Sequence, residues 1–181
     1  MTLVTTAASD LLAAPETLAA RLGASASDPR IRDALAAASA RFRAAVRHHV
    51  SHVDDDTVVL DGTGSESLLL PHSPVTAVSA VVVEGSDVTE QVQRSTEGML
   101  RYPGGFPDTL GAVSVTYSHG YDPVPDEIAD VVLSAAETAY AGAGDVASMT
   151  VGGEQVTFRQ GVSHAWSVVA DQYRLNRGDR W

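Results

Sequence analysis

Cysteine is absent from all 181 residues. Disulfides, thiol nucleophiles and cysteine-ligated zinc or iron–sulfur sites are therefore excluded together. Lysine is absent as well, since all twelve basic residues are arginine. No run of eighteen or more apolar residues occurs, so the sequence offers no membrane-spanning helix. Residues 1–20 lack the basic start and apolar block of a secretory signal, and synthesis in the cytoplasm is the expectation. Positive charge is scarce overall: the net charge is -11. It is also uneven, with seventeen acidic residues against two arginines between His48 and Phe158, and ten arginines against six acids in the two flanks. The middle segment would repel nucleic acid rather than grip it, because phosphate binding needs basic side chains.

What is present suffices for a packed core. Hydrophobic residues make up 44% of the chain, a composition and length suited to one α+β domain over 1–173 with a tail at 174–181. Within it the pattern predicts helix over 15–49, a β-rich stretch over 57–120, helix over 124–141, a hairpin over 148–159 and a last helix over 163–173. "APETLAARLG" has Pro15 and Glu16 at a helix start and Gly23 at its stop. Asp28 caps and Pro29 opens a longer helix whose stripe is Ile31, Leu35, Ala38, Phe42, Ala45 and Val46. The runs "TVVL", "SLLL", "VTAVSAVVV", "GML" and "AVSVTY" then read as a small sheet or meander, with "EGSD" as a tight turn. In the next helix Ile128, Val131, Val132, Ala135 and Ala139 form the expected buried stripe. A hairpin about Gly152-Gly153 sets Met149 opposite Val156, and Ser163 caps a helix carrying Trp166, Val169 and Tyr173.

Four stretches invite a chemical reading. In "GAVSVTYSHG", Val113, Val115, Tyr117 and His119 alternate with smaller residues, so His119 continues the larger-residue face of a strand. With Asp122 it makes no catalytic set, and a strand-to-helix joint is the better reading. "HHVSHVDDD" is the best metal candidate, since His48 and His52 stand four apart and Asp54, Asp55 and Asp56 follow. It lacks the Glu of a metalloprotease helix, and histidines at a helix end followed by an acidic turn account for it. "GVSHAW" has Ala165 where a nucleophile elbow needs glycine, and "DGTGSE" lacks the third glycine of a dinucleotide fingerprint. The sequence thus leads to no catalytic residue, no cofactor and no metal ligand.

The order of elements, and above all "LRYPGGFPDTLGAVSVTYSHGYDPVPDEIADVVLSAA", resembles the head-to-tail connector (adaptor) proteins of long-tailed bacteriophages. The likeness runs from about Glu16 to Tyr173 and is sharpest from Gly111 to Leu133. It implies a structural virion protein that forms a ring, commonly of twelve copies, between the portal protein and the stopper or tail protein. DNA passes through its lumen without specific binding, and no reaction is catalysed. Carried onto this sequence, the portal-gripping C-terminal segment corresponds to Trp166, Tyr173, Arg174, Leu175, Arg177, Arg180 and Trp181. Local charge density makes Asp54, Asp55 and Asp56 the expected lining of the DNA channel. Two alternatives stay open: a neighbouring neck component such as the head-closure stopper, and a small hydrolase using His48, His52 and the three aspartates with a divalent metal.

Overall fold

A computed structural model of the chain describes residues 11–142, 148–151, 154–157 and 163–174. They gather into two compact units, one formed by the two ends of the chain and one by His48–Pro123.

The first unit is built on helices. α1 (Pro15–Leu22) ends at Gly23, whose φ of 62° is the left-handed conformation glycine adopts without a Cβ penalty. α2 (Pro29–Val46) starts at Asp28, which accepts the Arg30 main-chain N–H at 2.9 Å and the Tyr140 hydroxyl at 2.9 Å. Those two bonds, the main-chain one first, hold the Asp28 carboxyl below its usual range. The apolar stripe buries Ile31, Leu35, Ala38, Phe42 and Val46 as its spacing requires. α2 ends earlier than expected, because Arg47 takes the left-handed cap at φ 64° and leaves His48 and His49 outside the helix.

α3 (Asp126–Tyr140) buries Ile128, Val131, Val132, Leu133 and Ala136, while Ala139 lies exposed. The expected stripe is therefore corrected at its C-terminal end: the larger Leu133 draws the inward face around by one residue. Arg21 of α1 spans Asp130 at 2.7 Å and Glu137 at 3.3 Å on α3. β8 (Ser148–Val151) and β9 (Glu154–Thr157) pair antiparallel with Met149 opposite Val156. α4 (His164–Tyr173) is capped by Ser163, whose Oγ accepts the Trp166 main-chain N–H at 3.2 Å. Trp166 meets Phe42 edge-on, with ring centroids 5.3 Å apart.

The second unit is β-rich. β1 (Val53–Leu60), β3 (Val75–Val83), β4 (Ser86–Asp87) and β7 (Val113–His119) form one sheet in the order β1-β7-β3-β4. β2 (Ser67–Leu69), β5 (Gln93–Arg94) and β6 (Met99–Arg101) form a second, in the order β2-β6-β5. All named pairings in both are antiparallel. The first sheet is no meander, because its last strand, β7, inserts between β1 and β3. Glu84 and Gly85, with φ of 47° and 82°, make the two-residue turn from β3 to β4. Both sheets contribute to one core that includes Leu68, Leu100, Phe106, Val115 and Tyr117. β1 begins four residues before Thr57, since an edge strand paired to β7 on one side tolerates the exposed Asp54 and Asp55.

The two kinds of contact in the helical unit differ in weight. Phe42→Ala is expected to cost about 3–5 kcal/mol, since a fully buried ring leaves a cavity. Arg21→Ala should cost less than about 1 kcal/mol, because its ion pairs are exposed. Chemical denaturation of both variants checks this order.

Candidate functional site

Three aspartates in a row cannot all face one way along a strand, and the register of β1 decides which turns inward. Val53 stands opposite His119, yet Asp56 rather than Asp55 stands opposite Tyr117. One extra residue is therefore accommodated in β1, a bulge at which Asp55 has φ 45°. Asp55 holds the bulge through its N–H, donated to Ser118 Oγ at 3.1 Å, and through Oδ1, which accepts the Ser79 hydroxyl at 2.6 Å. Asp54 stays exposed and accepts His52 Nε2 at 2.9 Å. Asp56 shares the face of Tyr117 and His119, and its Oδ2 lies 3.2 Å from His119 Nε2.

His119 is 1% exposed, and its Nδ1 has no hydrogen-bond partner among the described residues. His72, from the loop between β2 and β3, lies over it with ring centroids 4.6 Å apart. The His49 ring stands edge-on to His72 at 5.9 Å. One nitrogen each from His72 and His119 and one carboxylate oxygen from Asp56 fall within 4.8 Å of one another. Burial, then the neighbouring His119 and His49, lowers the His72 pKa to about 4. Burial also lowers that of His119, outweighing its bond to Asp56. Both rings are neutral at pH 7.

The set His48, His52, Asp54, Asp55 and Asp56 is not brought together: among the described residues, the group of three or more potential ligands within reach is Asp56, His72 and His119. His119 does not look to Asp122; its carboxylate partner lies 63 residues away in sequence. Sequence reasoning missed His72, which sits in "PHSP" with no periodicity around it. The only sequence signal available was the inward face of β7 ending in a histidine.

The opposite face of the same sheet is polar. Thr57 and Thr116 share a hydrogen bond at 2.9 Å, and Asp55 joins Ser79 and Ser118. Eleven acidic residues against two arginines lie in His48–Pro123. The same unit exposes Leu110 and Val59, at 84% and 66%, and the cross-strand pair Leu69 and Met99.

In the helical unit Trp166 is only 5% exposed, held against Phe42. Little of the indole is therefore left on the surface of the single chain for the expected partner-facing anchor. The Tyr173 hydroxyl donates to Glu127, which also accepts from Gln172 at 3.1 Å. Arg174 Nε donates to the Ala45 carbonyl at 3.2 Å and its Nη2 lies 3.4 Å from Asp171. Leu175, Arg177, Arg180 and Trp181 lie outside the described residues.

A family model described as "Head completion protein" matches residues 18–174. The chain belongs to the head completion protein family. That family agrees with the connector likeness carried by Gly111 to Leu133. Among solved structures, the chain is similar to one in the neck of a native gene transfer agent (GTA) particle computed with C12 symmetry, at TM-score 0.61 and 16% identity, covering 91% of this chain and 90% of that one. A chain in the neck of the empty GTA particle, computed with C6 symmetry, matches at TM-score 0.61 and 16% identity over 90% and 89%. One in the virion of the native particle matches at TM-score 0.60 and 16% identity over 90% and 89%. At such identity these establish a shared α+β fold. No curated protein sequence matches.

The end of β7 is where this site is most easily broken. Gly120 has φ 91°, and a Cβ there would lie 2.4 Å from the Ser51 carbonyl oxygen. Gly120→Ala is expected to destabilise the protein by about 2 kcal/mol or more, since neither backbone can move aside. Equilibrium unfolding in urea checks it.

Proposed function

We propose that this head completion protein is a structural subunit of the virion neck, a head-to-tail adaptor. Copies form a ring, twelvefold, between the portal protein and the stopper or tail protein, and DNA passes through it. No reaction is catalysed by the chain. Assembly takes place in the host cytoplasm. The observation that carries this reading is the family match over 18–174, supported by a fold shared with neck chains solved under C12 and C6 symmetry.

The surface chemistry is consistent with that role. A ring subunit needs apolar surface to bury against its neighbours, and Val59, Leu69, Met99 and Leu110 supply it in exposed positions. The excess of carboxylates in the β-rich unit suits a channel through which phosphates slide without sticking. Within it Asp54 and Asp55 are the exposed members of the acidic run, while Asp56 is turned towards His119. Portal contact falls to the exposed Arg174 and to Leu175, Arg177, Arg180 and Trp181, because arginine and tryptophan combine charge-assisted bonds with large area burial.

Two measurements test this. Truncation after Asn176 is expected to leave the melting temperature unchanged and to abolish co-sedimentation with the portal protein; full binding by the truncated chain eliminates the tail as anchor. A reconstruction of the neck should place the chain directly against the portal with Asp54 and Asp55 facing the DNA. Density one layer further from the head identifies the stopper instead, and density outside the neck overturns the proposal.

A further inference from the structure

We propose that Asp56, His72 and His119 form a divalent transition-metal site, with zinc the best-suited ion, that clips β1, β7 and the loop between β2 and β3 together. The donor set is two imidazoles and a carboxylate, a combination typical of zinc and poor for calcium or magnesium, which prefer oxygen alone. Bond lengths of about 2.0–2.2 Å put tetrahedral donors about 3.4 Å apart. The His119–Asp56 edge already measures 3.2 Å, and the whole set lies within 4.8 Å, so closure needs a side-chain movement of about 1 Å.

Three further observations point to an ion rather than to a packed core. His119 is almost wholly buried and, among the described residues, its ring nitrogens have one hydrogen-bond partner, Asp56, so the ring has no other such bond to give up when a metal binds. A bulge turns the Asp56 carboxylate to face His119 Nε2, the geometry in which a metal takes the place of the one proton between them. His72 gives up little on binding, since its contact with the His49 main-chain N–H is long, at 3.4 Å. If the ion takes Nε2, the ring proton sits on Nδ1 and that weak bond from the His49 N–H is given up. The fourth position is left for water. Such a site would stabilise the β-rich unit, because an ion that binds only the folded chain shifts the folding equilibrium towards it.

The test uses the full chain without a histidine tag, stripped with a chelator and titrated with zinc chloride in a calorimeter. Expected is one ion per chain with a micromolar or tighter dissociation constant, a melting temperature that rises with zinc, and cobalt(II) absorption of a tetrahedral centre. His72→Ala, at a half-buried position that tolerates truncation, should weaken binding at least tenfold, as should Asp56→Asn. His52→Ala lies outside the set and should leave binding unchanged. Circular dichroism confirms that each variant is folded. Absence of saturable binding in the unaltered chain overturns the proposal. So does binding that survives both His72→Ala and Asp56→Asn, or that His52→Ala removes, which would assign the ion to the histidines and aspartates adjacent in sequence.

Discussion

The β-rich unit depends on one strand having a partner on each edge. β7 is hydrogen-bonded to β1 on one side and to β3 on the other. Its odd positions, Val113, Val115, Tyr117 and His119, point into the core and are all essentially inaccessible. Of its even positions, Thr116 meets the Thr57 hydroxyl and Ser118 accepts the Asp55 main-chain N–H. Neither β1, with three consecutive aspartates, nor the doubly bulged β3 could order this unit alone. β7 also fixes the site, because His119 is its last residue and Asp56 is aligned through it.

The bulge in β1 turns a charge run into two different surfaces. Without the extra residue, Asp55 would stand opposite Tyr117 and Asp56 would face solvent, since side chains alternate along a strand. With it, one carboxylate reaches a buried histidine and two remain on the surface. A carboxylate at His119 and an acidic exterior are thus consequences of the same local geometry. The helical unit has a different character: alanine-rich faces, an aromatic contact between Phe42 and Trp166, and Arg21 and Arg174 held by carboxylate and carbonyl partners.

On the proposed neck role, this division would separate tasks that conflict physically. A surface that repels DNA must carry uncompensated negative charge, whereas a surface that holds a partner must bury apolar or arginine-rich area. Most of the charge imbalance falls in His48–Pro123, and the chain ends are closer to neutral. Exposed Val59 and Leu110, in the same acidic unit, are where apolar burial between copies would offset the mutual repulsion of like-charged subunits.

Much was legible in the amino-acid order because it is governed by local rules. Pro15, Gly23, Asp28, Pro29 and Ser163 mark helix ends through backbone geometry and capping bonds that involve a few adjacent residues. The inward face of β7 follows from period-two alternation, and the Met149–Val156 register from a glycine pair. The family likeness was carried by the same joint, from strand to helix. Tertiary structure decided what depends on distant pairing: the insertion of β7 between β1 and β3, the bulge that selects Asp56, and the arrival of His72 beside His119. Those three residues lie 16 and 47 positions apart along the chain. No periodicity links them, because what joins them is strand register and loop closure, and these are set only when the sheet forms.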